Sequence, residues 1–272
     1  MRYVTGLFIL ATVCLNAQEK VVSNNPCANP FVLNKKSKPQ AYNREADIVW
    51  SKQIWRELDL RERLNLPLYF PLENEPCRIS LFQLISKHIL TGEITAFADE
   101  EFYKPYSVSE VRNKLVKYEE AVMFSYDSLG NECETTVCSY DSVSIFSNVI
   151  KVRLKEDWYL NSSRSDLEVN ISAMAFYEYV EDKEAYKELF WVFFPSVQPL
   201  LAKYRIFNPK NADDHSSFDD LFSRRQFSSI IIKESNVYDR YISDYCKGAD
   251  ILKESDRIKN ELLRLEKGLW RY

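Results

Sequence analysis

The sequence predicts an α+β fold: an antiparallel sheet with helices packed on it and a long amphipathic helix at the C-terminus. Three observations carry that expectation: two segments that alternate with a period of two, two helical runs that open on a capping serine, and a closing apolar stripe that steps by four and three. Ser80-Leu-Phe-Gln-Leu-Ile-Ser-Lys-His-Ile-Leu90 has helical spacing, begins at a serine suited to capping and stops at Gly92. His88 lies in this helix with no second His or Cys at ligand spacing, so it reads as a surface or half-buried histidine rather than a base. Ser107-Val-Ser-Glu110 is a capping box opening a helix whose Val108, Val111 and Leu115 share one face. Ile150, Val152 and Leu154 alternate with Lys151, Arg153 and Lys155; Leu167, Val169, Ile171, Ala173 and Ala175 alternate with Glu168, Asn170 and Ser172. Each strand thereby gains one buried and one solvated face, and Asn161-Ser-Ser-Arg164 is polar enough to turn between them. Leu189-Phe-Trp-Val-Phe-Phe194 is continuously apolar and reads as a central strand covered on both faces. The last helix runs from Ala249 to Trp270, about 33 Å at 1.5 Å per residue, with Ile251, Ser255, Ile258, Leu262, Leu265 and Leu269 on one stripe. Glu254 with Arg257, Asp256 with Lys259 and Glu261 with Arg264 are opposite charges three apart on its other faces. The stripe serves either the chain's own sheet, the preferred reading, or a seam to another subunit.

Composition excludes more than it names. The 272 residues hold 36 Lys plus Arg against 40 Asp plus Glu, a net charge of −4, which argues against a nucleic-acid partner bound through its phosphates. Beyond the N-terminus no apolar run approaches the roughly 18 residues of a membrane span. Met1-Arg2 followed by the apolar stretch Tyr3 to Leu15 reads as a secretory signal, residues 1–17, cleaved after Ala17 to leave Gln18. Cys14 invites a lipoprotein reading, but Val13 stands where a lipobox needs a small residue. Residues 18–44 are rich in Asn, Pro, Lys and Ser and form a flexible or extended arm. The body begins near Glu45 and runs to 272. Leu68-Tyr-Phe-Pro71 and Val192-Phe-Phe-Pro195 echo each other faintly, as two related halves with a boundary near 148 would.

Five cysteines outlast cleavage: Cys27, Cys77, Cys133, Cys138 and Cys246. In an oxidising compartment the odd number leaves one thiol over, and the spacing of Cys133 and Cys138 suggests a local disulfide. A zinc site would need a second Cys or His pair nearby. No nucleophile elbow, phosphate loop or zincin helix occurs, and the sequence calls for no cofactor and no metal. Asp213, Asp214 and His215 form the one local cluster suited to acid–base work; they support an alternative reading as a periplasmic hydrolase, though their polar setting is that of a loop feeding a helix cap. A soluble ligand-binding module using the aromatic segments is the other alternative.

The distinctive strings are not catalytic. Trp55-Arg-Glu-Leu-Asp-Leu-Arg-Glu62, Asn65-Leu-Pro-Leu-Tyr-Phe-Pro71, Phe190-Trp191, Phe194-Pro195, Phe207-Asn208, Phe218-Asp-Asp-Leu-Phe222, Arg225, Phe227, Lys233-Glu-Ser-Asn-Val-Tyr-Asp-Arg240 and Leu269-Trp270 together resemble the GldN/PorN family of gliding motility and type IX secretion. The resemblance spans about residues 48 to 272. It implies a non-enzymatic periplasmic subunit at the inner face of the outer membrane, self-associating in a ring with an outer-membrane lipoprotein, GldK or PorK, and touching the motor protein GldM or PorM. Family members carry His-Asp before the final Leu-Trp, where this chain has Glu266-Lys267-Gly268; a glycine there weakens the last turn by about 1 kcal/mol relative to Ala. Interface candidates are Arg56, Arg61, Arg240 and Trp270, the three arginines lying in acidic strings where pairing within the chain competes with pairing across a ring contact. Asp127-Ser-Leu129 and Asp141-Ser-Val143 resemble the short O-glycosylation signal of such bacteria, which makes Ser128 and Ser142 acceptor candidates.

Overall fold

The computed structural model describes residues 32–33, 35–37, 44–73, 75, 78–126, 132–141, 143–162, 166–207 and 216–269. The elements are β1 (Ile48–Asp59), α1 (Leu66–Tyr69), α2 (Leu81–Leu90), β2 (Ala96–Phe97), α3 (Val108–Leu115), β3 (Lys117–Tyr126), β4 (Glu132–Asp141), α4 (Val143–Asn148), β5 (Val149–Asn161), β6 (Asp166–Val180), β7 (Ala185–Phe193), α5 (Phe194–Lys203), α6 (Phe218–Ser223), β8 (Ile230–Glu234) and α7 (Ala249–Leu269). Six strands form one antiparallel sheet in the order β2-β7-β6-β5-β1-β8, so the expected α+β class holds. β1 lies between β5 and β8, so sequence on both sides of residue 148 shares this sheet. The two echoed strings fold differently: Leu68-Tyr69 closes a helical turn, whereas Val192-Phe193 ends a strand.

Register makes the core. Leu58, Val152, Phe176 and Phe190 stand side by side across four strands, and Arg56, Leu154, Met174 and Val192 form the next row on the same face. Helices α2, α3, α5 and α6 cover these rows with Phe82, Ile85, Val111, Leu201 and Phe222. The Phe82 ring sits 5.2 Å from Phe176 and 6.1 Å from Phe190. Both capping serines act as expected, Ser80 in a reciprocal box with Gln83 and Ser107 with Glu110. Val108 departs from the expected face: it occupies the first helical position and is exposed, while Val111 and Leu115 are buried.

Further along, Ile54, Trp158 and Ile231 are covered by Ile258 and Leu262 of α7. The C-terminal stripe is therefore satisfied within the chain as far as Leu262, and Leu265 is where it emerges to solvent. Ser255, the polar member, is buried and its hydroxyl accepts the Ile231 N–H at 2.9 Å. On the outer side Arg257 bridges Glu254 at 2.8 Å and Glu261 at 3.2 Å.

The opposite face of the sheet overturns one detail of the alternation. Lys155 stands in line with Trp55 and Ala173 and is 5% exposed, so this face is covered rather than solvated. Loops do the covering, because small residues at Ala173 and Ala175 leave room for Phe97 and Phe102 against Trp191 and Trp55. The run at Leu189 is apolar on both sides for this reason, yet β7 is not a middle strand: only the two-residue β2 lies beyond it. Phe194 does not belong to the strand but opens α5.

One expectation on local chemistry changes. Cys133 and Cys138 both lie on β4, in register with Ser125 and Glu120. Five residues of extended chain at about 3.3 Å each separate their backbones by roughly 16 Å, well past the roughly 7 Å within which two Cα atoms can be bridged, so the local disulfide does not fit this strand. Part of the arm lies on the chain's own body: Val32 bridges Tyr204, Leu33 N–H donates to the Lys203 carbonyl, and Lys35 pairs with Asp220 of the α6 capping box. Burial pushes the Asp220 carboxyl up, but the Lys35 ammonium together with the Ser217 N–H and hydroxyl outweighs it and holds the group at about 2.

Candidate interaction surface

The loop-covered face of the sheet is organised around Trp55. Its ring lies beneath two buried ammonium groups, Lys155 at 5.4 Å and Lys233 at 4.5 Å from the ring centroid. Each lysine reaches a carboxylate on a covering loop, Lys155 to Glu101 and Lys233 to Asp239, both at 2.7 Å. The indole N–H of Trp55 donates to Glu100 at 2.6 Å. Burying an ammonium is costly unless it is paired, so each ion pair fixes its loop to the sheet. Burial lowers the affinity of Lys233 for its proton, but Asp239 outweighs that and the net shift is upward.

The residues Lys233 to Arg240 build the more prominent loop. Lys233 is still in the sheet; Asn236 turns the chain by accepting the Tyr238 N–H on its side chain at 2.9 Å and the Asp239 N–H on its carbonyl at 3.1 Å. Asp239 adopts a left-handed φ of 46°, a conformation that Asp tolerates better than most residues. Lys233 then bridges Tyr241 and closes the loop. At its tip Val237 is 99% and Tyr238 75% exposed. Arg240 stacks on Tyr238 and Tyr245, 4.7 and 4.5 Å from their centroids. On the second loop Asp99 caps the Tyr103 and Lys104 N–H groups, and Tyr103 is 85% exposed. Apolar side chains held outward by rigid backbone lose little entropy on docking.

The other candidates distribute as follows. Arg56 is not at a surface: it is 6% exposed and its Nε donates to Glu156 at 2.8 Å. Glu156 is fully buried and also accepts from Trp158 Nε1 at 3.0 Å and Arg225 at 2.7 Å. The alternation of β1 forces this, since Arg56 shares the core face with Ile54 and Leu58. Arg61 is exposed and grips Asp59 through Nε at 3.1 Å and a terminal nitrogen at 2.8 Å, and that hydrogen bond holds the Asp59 carboxyl below its ordinary value. Pairing within the chain thus accounts for Arg56 and Arg61, and Arg240 alone presents its guanidinium on the outer loop. His88 is half-buried, with Nδ1 2.7 Å from Glu93. Trp270, Asp213, Asp214, His215, Ser128, Ser142 and residues 1–17 lie outside the described residues. Sequence reasoning missed Glu156, Lys155 and Lys233; the available signal was a charged residue at a buried strand parity, which requires a partner.

The family model described as gliding motility associated protein GldN matches residues 43–271. The chain belongs to the GldN family. No curated protein matches it significantly. The match takes in the whole six-stranded sheet, the Trp55 face and the loop at Val237, so the surface described above is part of a GldN body rather than an addition to it. Among the described residues no helix is long and apolar enough to cross a membrane, and no group of three or more His, Cys, Asp or Glu could hold a metal.

Proposed function

We propose that this chain is a non-enzymatic structural subunit of the type IX secretion and gliding motility machinery, working in the periplasm at the inner face of the outer membrane after removal of residues 1–17. It self-associates in a ring together with an outer-membrane lipoprotein of the GldK/PorK kind and contacts the periplasmic part of a GldM/PorM-like motor protein. The observation that carries the reading is the GldN match across nearly the whole body. The outward-held Val237, Tyr238, Arg240 and Tyr103 support it, because aromatic and arginine anchors on rigid backbone suit docking to another protein. Affinity purification from the native host tests it. The expected result is a complex of high mass containing a lipoprotein, with export and gliding lost when the gene is deleted. A free monomer, with export and gliding unaffected by deletion, would overturn it.

A further inference from the structure

One flank of α7 is satisfied within the helix and the other is not. Asp250 pairs with Lys253 at 2.8 Å, and Arg257 joins Glu254 at 2.8 Å to Glu261 at 3.2 Å. On the other side of the buried stripe stand Leu252, Asp256, Lys259 and Leu263, each directly following a covered residue, Ile251, Ser255, Ile258 and Leu262. At about 100° per residue they form a second row alongside the first, in steps of four, three and four. All four are exposed, Leu252 at 52% and Leu263 at 41%. Asp256 and Lys259 are three apart, yet among the described residues neither reaches an opposite charge. Nor does the row run against packed protein: Lys259 and Leu263 line a cleft of about 360 Å³ whose far wall includes Phe227.

The row is its own complement when read backwards. It runs Leu-Asp-Lys-Leu, so a second α7 laid antiparallel presents Leu-Lys-Asp-Leu. In the register that sets Leu252 against Leu263 of the second copy, Asp256 faces Lys259 of that copy, and the two-fold axis repeats both contacts. Every layer then joins leucine to leucine or carboxylate to ammonium, over about 16 Å of helix. A parallel pair would instead set Asp256 against Asp256 and Lys259 against Lys259, and like charges facing each other are costly. A singly exposed leucine is ordinary on a protein surface. Two of them bracketing an unpaired acid and base, in self-complementary order, are what a copy of the same helix fits. The same approach lays Leu252 of the second copy beside Leu263 at the mouth of the cleft, towards Phe227.

We infer that this flank of α7 pairs with the same flank of a second copy of this chain in an antiparallel, two-fold contact. The pair goes beyond the proposed function and does not rest on it: an isologous contact closes as a dimer, and a ring would be assembled from such dimers through other surfaces. Sedimentation velocity of the full mature chain over a range of protein and salt concentrations tests it. The wild-type chain should show a reversible monomer–dimer equilibrium. Asp256→Lys and Lys259→Asp, which put like charges into both contacts, should each weaken the dimer about tenfold at low salt with the denaturation midpoint unchanged. Mixed in equal amounts the two variants should pair with each other, and Asp256→Lys/Lys259→Asp in one chain should restore the dimer. Leu252→Asp should abolish it, with no rescue from the charge exchange. A wild-type chain monomeric throughout, self-association indifferent to these changes, or a charge exchange that stays folded without recovering the dimer would overturn the inference. Recovery of the chain in a high-mass complex with the lipoprotein is a separate readout, so the ring reading stands or falls independently of the dimer.

Discussion

Replacing Glu156 with Ala should be among the most destabilising single changes in the sheet. The side chain is fully buried and accepts three donors, from Arg56, Arg225 and Trp158. Arg225 is a third exposed and can turn to water, so its loss costs little. Arg56 has no such escape: its side chain is 8% exposed, held in the core row beside Leu154. Breaking a buried pair from one side costs about 3–5 kcal/mol because the remaining charge is left without a partner. At roughly 2–4 °C per kcal/mol for a domain of this size, Glu156→Ala should lower the melting temperature by about 6–20 °C. Guanidinium denaturation should show the midpoint falling with the slope unchanged. The decisive partner is Arg56→Met/Glu156→Leu, which removes both charges and restores apolar packing. It should recover most of the loss, since apolar substitution of a whole buried pair is often neutral or better. If the single variant lay within about 1 kcal/mol of the parent, well short of the one-sided cost expected for a buried pair, or the double variant were as unstable as the single, the electrostatic account of this core would be wrong.

Three further predictions follow from other contacts. Ser255→Ala should cost about 1–3 kcal/mol by leaving the buried Ile231 N–H unpaired, and Ser255→Leu should cost more because it also overfills the α7 contact; equal stability of Ser255→Ala and the parent in urea would refute the role of the hydroxyl. Because Asp220 is held at about 2, below its ordinary 3.8, its contribution to stability is present above pH 4 and is lost as pH falls through 4 towards 2. Asp220→Asn should flatten that part of the stability–pH curve measured by denaturation midpoints, and Lys35→Ala should flatten it partly. Val237→Asp should leave the melting temperature within about 1–2 °C, as expected for a surface change away from packing, yet lower recovery of the lipoprotein complex; undiminished recovery would remove this loop from the interface.

The elements that were legible in the sequence are those whose solvent side stays polar. α2 and α3 show their caps and α7 its stripe directly, and apolar and polar residues alternate over 150–155 of β5 and 167–173 of β6. β1 was opaque for a physical reason. Its core side reads Trp50, Lys52, Ile54, Arg56, Leu58, and the charges at Lys52 and Arg56 break the apolar pattern that would mark a strand. The partner that makes this tolerable, Glu156, is 100 residues away and itself sits on the wrong side of β5 by polarity. The lysines had the converse problem. Lys151, Arg153 and Lys155 look like a solvated edge, and only the covering loops reveal that Lys155 is buried over Trp55. Long-range ion pairs leave no local trace, so periodicity finds the elements and misses the electrostatics between them.

Those ion pairs also bear on how the outer loops are positioned. Lys155 and Lys233 contribute little net stabilisation, since desolvating an ammonium offsets much of what its carboxylate returns. What they add is position: Glu101 and Asp239 lie at the exposed ends of the bridges and tie two loops to the sheet. Lys233→Met should therefore keep the fold, because an apolar side chain of similar length can lie on Trp55, while freeing the loop that carries Val237 and Tyr238. Hydrogen exchange should show faster exchange at the Tyr238 and Asp239 amides with β8 still protected. Under the proposed function, binding to the lipoprotein should fall mainly through a faster off-rate, because ordering the loop then has to occur in the complex. Unchanged exchange at those two amides would mean that the Asn236 turn holds the loop by itself and that the buried lysine is not what positions it.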